Sequence, residues 1–136
     1  MPAISGPSNL VDAACFYARE LGIAGLDFEL DIRLEEMCED VFGVCHPNES
    51  TDLEIRLNND RAIGDTLTTL AHEMVHVKQF VKCELVEATD ESEVMWKGQT
   101  FHKRVDTYED YISLPWEVEA HARQEELYNK FMRSDA

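Results

Sequence analysis

Basic residues are scarce in this chain: 12 Lys and Arg stand against 28 Asp and Glu among 136 residues, for a formal net charge of -16. The first sixty positions carry thirteen acids and only Arg19, Arg33 and Arg56 as counterweight. A surface of that sign repels a phosphate backbone or an anionic bilayer, which disfavours nucleic acid and membrane headgroups and allows a neutral or basic polypeptide partner. Long apolar runs are also missing. No stretch approaches the ~20 residues needed to span a bilayer, and the start, MPAISGPSNLVDAAC, has neither the basic opening nor the apolar core of an export signal. The expectation is a soluble, cytoplasmic protein. Cysteine is sparse and scattered: Cys15, Cys38, Cys45 and Cys83 form no CxxC pair, which argues against a disulfide scaffold. Cys38 and Cys45, even with His46, match no common structural zinc spacing. Repeats, low-complexity segments and long linkers are absent, so residues 1–136 read as a single domain, 44% hydrophobic and able to bury roughly 65 to 70% of its unfolded surface.

What is present reads as an α+β chain. SNLVDAACFYARELG has apolar residues at helical spacing, Ser8 as a candidate cap and Gly22 as a stop. LDFELDIRL, CEDVFGVC and DLEIRLN alternate and are separated by an acidic segment and by HPNEST, which predicts a small antiparallel sheet. From Asp65, a candidate cap, the period becomes helical, with Leu67, Leu70, Ala71, Met74 and Val81 on one stripe and His72, His76 and Gln79 on another. CELVEA and EVMWKGQTF flank the polar run TDES and predict a hairpin, with Gly98 at a bulge or bend. A last helix is signalled by SLPWEVEAHARQEELYNKF, with Pro115 in its first turn. Trp96 and Trp116 read as packing residues.

The stretch LAHEMVHVKQF holds the chemistry. Four residues advance a helix by about 400°, so His72 and His76 project from one face a turn apart and can grip one cation. Random placement of the same residues would give about 0.02 such HExxH matches in a chain of this length. Two imidazoles favour zinc, and Glu73, about 100° around from His72, is placed to act as general base rather than ligand. A catalytic zinc wants a third protein ligand and an open position. PWEVEAHAR offers Glu117, Glu119 and His121, of which Glu117 and His121 share a face about 200° from Glu119. Glu119 is the preferred ligand, because small Ala120 beside it allows helices to approach and Arg123 could orient its carboxylate. Glu117 is the first alternative, then His121 or His102. Tyr108, Tyr111, His102 and His121 are candidate donors to an oxyanion. DLEIRLN is the candidate strand beside the cleft, where an extended polypeptide substrate could add as a further strand.

These motifs, TLAHEMVHVKQF, a WKG hairpin and LPWEVEA, resemble the minimal HExxH zinc metallopeptidases, the gluzincin-like group, and look especially like small phage and bacterial HExxH domains. The likeness covers roughly residues 51 to 125. It implies a minimal zincin-like fold, a cytoplasmic setting in a bacterial or phage-infected cell, zinc on His72, His76 and Glu119, and Glu73 as base in peptide-bond hydrolysis. More distantly the chain is similar to SprT-like proteases, whose third histidine precedes a glycine; no such pair occurs here. The rival expectation is a non-catalytic zinc-binding regulatory or interaction module on the same fold, although metal binding alone has no need of Glu73.

Overall fold

Alternating apolar residues in ELDIRLE and DLEIRLN bury one face of each strand against helices, and this sets the layering. The computed structural model describes residues 2–49, 51–87, 93–102 and 106–134. In chain order the elements are β1 (Ala3–Ser5), α1 (Ser8–Glu20), β2 (Glu29–Glu35), β3 (Gly43–Glu49), β4 (Asp52–Asn58), α2 (Ile63–Val81), β5 (Leu85–Glu87), β6 (Glu93–Trp96), β7 (Gln99–His102), α3 (Tyr108–Ile112) and α4 (Pro115–Ser134). Four helices and two small sheets among the described residues make the fold mixed α+β.

The larger sheet has the strand order β1-β2-β4-β3. The expected purely antiparallel arrangement is corrected: β1 with β2 and β2 with β4 are parallel, and only β3 with β4 is antiparallel. A tight turn after β2 would have put β3 beside it. Residues 36–42 instead reach across two strand spacings, about 10 Å, so that β3 takes the edge and β4 inserts next to β2. Leu30 and Ile32 of β2 and Leu53, Ile55 and Leu57 of β4 are buried. The opposite face carries the charges, including Arg33 donating to Asp31 at 2.7 Å and Arg56 to Glu54.

Helix α1 covers the buried face through Leu10, Ala13, Ala14, Tyr17 and Ala18, and the Tyr17 hydroxyl donates to the Leu67 carbonyl of α2 at 3.0 Å. Pro7 rather than Ser8 occupies the cap position, and Ala62 rather than Asp65 does so for α2, leaving Asp65 in the first turn where the helix dipole favours it. Helix α2 is the central element. Leu67, Leu70, Ala71, Met74, Val75 and Val77 are buried, and so are Glu73, His76, Lys78 and Gln79 on its other side. No helix among the described residues is long and apolar enough to cross a membrane.

The smaller sheet is antiparallel in the order β5-β6-β7. It contains the expected hairpin, whose TDES run lies outside the described residues. Gly98 sits in the two-residue turn between β6 and β7, not at a bulge: Lys97 and Gly98 have φ of 48° and 86°, the pair of positive values that such a turn demands. Helix α4 begins at Pro115 and lies along α2. Ala120, 0% exposed, is the small residue at their contact, with Trp116 and Leu127 also buried.

Candidate metal centre

Three elements converge on one point. Helix α2 supplies His72 and His76, α4 supplies Glu117 from its first turn, and edge strand β3 passes the same place because residue 43 is glycine. A Cβ there would lie 2.8 Å from Thr69 Cγ2 and 2.9 Å from Leu57 Cδ2. The strand beside the cleft is therefore β3, and the expectation that DLEIRLN would line it is corrected: that segment, β4, lies inside the sheet between β2 and β3.

The His72 and His76 Nε2 atoms are 3.3 Å apart. Glu117 Oε1 lies 3.1 Å from His72 Nε2, and Oε2 lies 3.0 Å from His76 Nε2. A tetrahedral zinc with bonds of 2.0 to 2.1 Å spaces its ligand atoms about 3.3 to 3.4 Å apart. The two imidazole nitrogens are spaced as two such ligands would be, the Glu117 carboxylate sets one oxygen against each of them, and two imidazoles with one carboxylate would leave a position open. The residues fit the metal. His72, Glu117 and His121 likewise offer ligand atoms within 4.8 Å of one another, a group able to hold a metal ion. Its third member is exposed, its ring 4.7 Å from that of His72. Buried His76 forms the tighter set, and His121 stands at the mouth.

The preferred third carboxylate is placed elsewhere. Glu119 accepts from Lys78 Nζ at 2.8 Å and from Gln79 Nε2 at 2.8 Å, on the flank of α2 and away from the imidazole nitrogens. Burial works against its charge, but the Lys78 and Gln79 hydrogen bonds hold its carboxyl below the usual range. Lys78 also contacts Glu84 at 2.7 Å. The rotation of α4 about its own axis decides between the two glutamates. Glu117 lies on the stripe of Ala120, Gln124, Leu127 and Phe131, spaced three or four apart, that faces the protein, and Glu119 lies off it. That stripe was the available signal. His102, at the exposed end of β7, faces Glu93 across the hairpin.

Supporting hydrogen bonds orient both rings. His72 Nδ1 is 2.7 Å from Gln124 Oε1, and His76 Nδ1 is 2.8 Å from Gln79 Oε1. Neither glutamine stood out in the sequence as a partner of the histidines, because the one on α4 is 52 residues away and the one on α2 lies beyond the HExxH spacing.

The electrostatics follow from putting two bases and two acids in one dry place. Burial alone would lower the His76 pKa, but the Glu117 hydrogen bond and the nearby Glu73 charge raise it to about 9. His72 is raised in the same way, against burial, by Glu117 and Glu73. Burial opposes ionisation of Glu117, yet the two imidazoles hold its carboxyl far below the ordinary range. Glu73, 6% exposed, is pushed up by burial despite both histidines. The Cys45 thiol is pushed well up by burial and by Glu73.

A groove runs over the site in two lobes of about 340 and 360 Å³, which share Gly43, Glu73, Tyr111 and Glu117. The first is walled by Phe80, Leu85, Val94, Leu114 and Trp116; the second by Asp40, Thr68, Thr69, His121 and Gln124. Of the four residues expected as oxyanion donors, Tyr111 and His121 border the cluster of His72 and Glu117, and Tyr108 lines the second lobe with its side chain largely in solvent. Burial and the adjacent Glu117 charge push the Tyr111 phenol well above its ordinary value.

No protein-family model, curated protein or solved structure matches this chain. The functional argument therefore rests on the geometry of these residues.

Proposed function

We propose that the protein is a zinc-dependent peptidase on a minimal zincin-like scaffold, with His72, His76 and Glu117 as the metal ligands and Glu73 as the general base. The observation that carries this reading is the meeting of His72 Nε2, His76 Nε2 and the two oxygens of the Glu117 carboxylate, with contacts of 3.0, 3.1 and 3.3 Å, drawn from two turns of one helix and the start of another. When bound, zinc would supply a Lewis acid that polarises a carbonyl and makes water acidic near neutral pH.

The remaining steps belong to the chain. Glu73, buried between the two lobes, takes a proton from the attacking water and returns it to the departing amine as the C–N bond breaks. Tyr111 and His121 are at the rim where a hydrogen bond could meet the charge developing on the carbonyl oxygen. Edge strand β3 offers unpaired main-chain groups to an extended polypeptide, which gives affinity with little demand on sequence. The apolar lobe favours a large apolar side chain next to the cleaved bond, and the polar lobe accepts a polar neighbour.

The test compares wild type with Glu73→Gln on an unfolded protein substrate, with zinc content measured in both. Hydrolysis by wild type and its loss in a zinc-loaded variant is the expected pair of results. Stoichiometric zinc with no hydrolysis in either protein would favour the non-catalytic zinc module instead.

A further inference from the structure

Gln79 is 0% exposed, three residues beyond His76, and each of its polar atoms is engaged. Its Nε2 donates to the Trp116 carbonyl at 3.0 Å and to Glu119 Oε1 at 2.8 Å. Both partners are oxygens that only accept, and Glu119 is kept ionised by Lys78 at 2.8 Å. The amide therefore cannot be turned over without setting acceptor against acceptor twice in a buried place, where one unmade hydrogen bond costs about 1 to 3 kcal/mol. Its Oε1 must face His76 Nδ1, 2.8 Å away. A carboxamide oxygen donates nothing, so Nδ1 carries the proton. A neutral imidazole has one N–H, and the Nε2 lone pair is then left pointing at the place shared with His72 and Glu117.

We propose that Gln79 is a positioning residue that locks His76 in the Nδ1–H tautomer and so presents Nε2 as a ligand, while its bond to Trp116 fixes the start of α4 that delivers the next residue, Glu117. Glu119 and Lys78 complete the device by holding the amide the right way round. This gives Glu119 a role in the site without contact with the metal. The inference rests on the reading of His72, His76 and Glu117 as zinc ligands. Shape alone does not account for Gln79, because an apolar side chain of similar volume would fill the same space with no need for two acceptors and a donor.

The experiment uses zinc itself as the probe. In zinc-loaded wild type, two-bond ¹H–¹⁵N histidine spectra should show His76 protonated at Nδ1 with Nε2 ligating; the opposite arrangement overturns the proposal. Gln79→Met should weaken zinc, measured against a competing chelator, by about 10- to 100-fold, the usual loss when a ligand's hydrogen-bond partner is removed. The reversed pair, Gln79→Glu with Glu119→Gln, keeps an acceptor on His76 and a donor between the two side chains but loses the donor to the Trp116 carbonyl, and should recover part of that loss. Equal weakening in both proteins would make Gln79 a packing residue and refute the lock, as would wild-type affinity in Gln79→Met. If Gln79→Met does not fold, the wild-type spectra and the reversed pair still decide. Wild type without zinc sinks the peptidase reading itself, whereas zinc-loaded wild type with an indifferent Gln79→Met sinks only this proposal.

Discussion

Replacing Glu117 by glutamine keeps shape and burial and removes the charge between the two imidazoles. Structural zinc in small domains contributes about 10 to 16 kcal/mol over four ligands, so one ligand is worth roughly 3 to 4 kcal/mol. At 1.4 kcal/mol per tenfold, Glu117→Gln should bind zinc about 10² to 10³-fold more weakly. Glu119→Gln should behave differently, because a carboxamide oxygen can still accept from Gln79 Nε2 and Lys78 retains Glu84 at 2.7 Å. Its loss should stay under about tenfold, at the weak end of what outlying partners of a ligand cost. Both variants would be titrated against a chromophoric chelator at pH 7, with thermal unfolding of the chelated proteins as a check on the scaffold. A larger loss for Glu119→Gln, in a variant that is still folded, would refute the assignment of the third ligand.

Three further outcomes follow from the same geometry. Glu73→Gln should retain zinc and lose about 10² to 10⁴-fold in hydrolysis of an unfolded protein, the range for a removed general base; comparable turnover would take Glu73 out of the mechanism. In chelated protein, His76 has its pKa raised to about 9, so the associated stability is fully present below about pH 6.5 and is lost as pH rises through 9. That contribution is at most about 3 kcal/mol by urea unfolding, and it should shrink in Glu117→Gln; an identical alkaline decline in both proteins would contradict it. Gly43→Ala puts a methyl 2.8 Å from Thr69 Cγ2 and 2.9 Å from Leu57 Cδ2, and should cost about 1 to 3 kcal/mol in thermal or urea unfolding, with an unchanged midpoint counting against the close approach of β3.

The parts of this molecule that were legible are those governed by local rules. The alternation of Leu53, Ile55 and Leu57 marks a strand with one buried face, and the stripe from Leu67 to Val81 marks a helix whose other side carries His72 and His76. Pro115 marks the start of α4. What depended on long-range placement was not legible. Nothing within β2, β3 or β4 says that the acidic segment 36–42 skips a strand position, so local pattern shows neither the parallel pairing of β2 with β4 nor that β3 rather than β4 borders the cleft. The short β1 and α3, three and five residues, carry too little pattern to declare themselves. Between Glu117 and Glu119 the local features, small Ala120 and a nearby Arg123, favour Glu119, which the structure turns toward Lys78 and Gln79. The full stripe through Gln124, Leu127 and Phe131, which fixes how α4 is rotated, is the one that brings Glu117 against the histidines.

X-ray absorption on the purified chain, after dialysis that strips loosely held metal, bears most directly on the central claim. One zinc per chain with two imidazole nitrogens and carboxylate oxygen at about 2.0 to 2.2 Å, and no sulfur, is the result this account predicts. No retained zinc, or a sulfur scatterer near 2.3 Å bringing in one of the four cysteines, would contradict it.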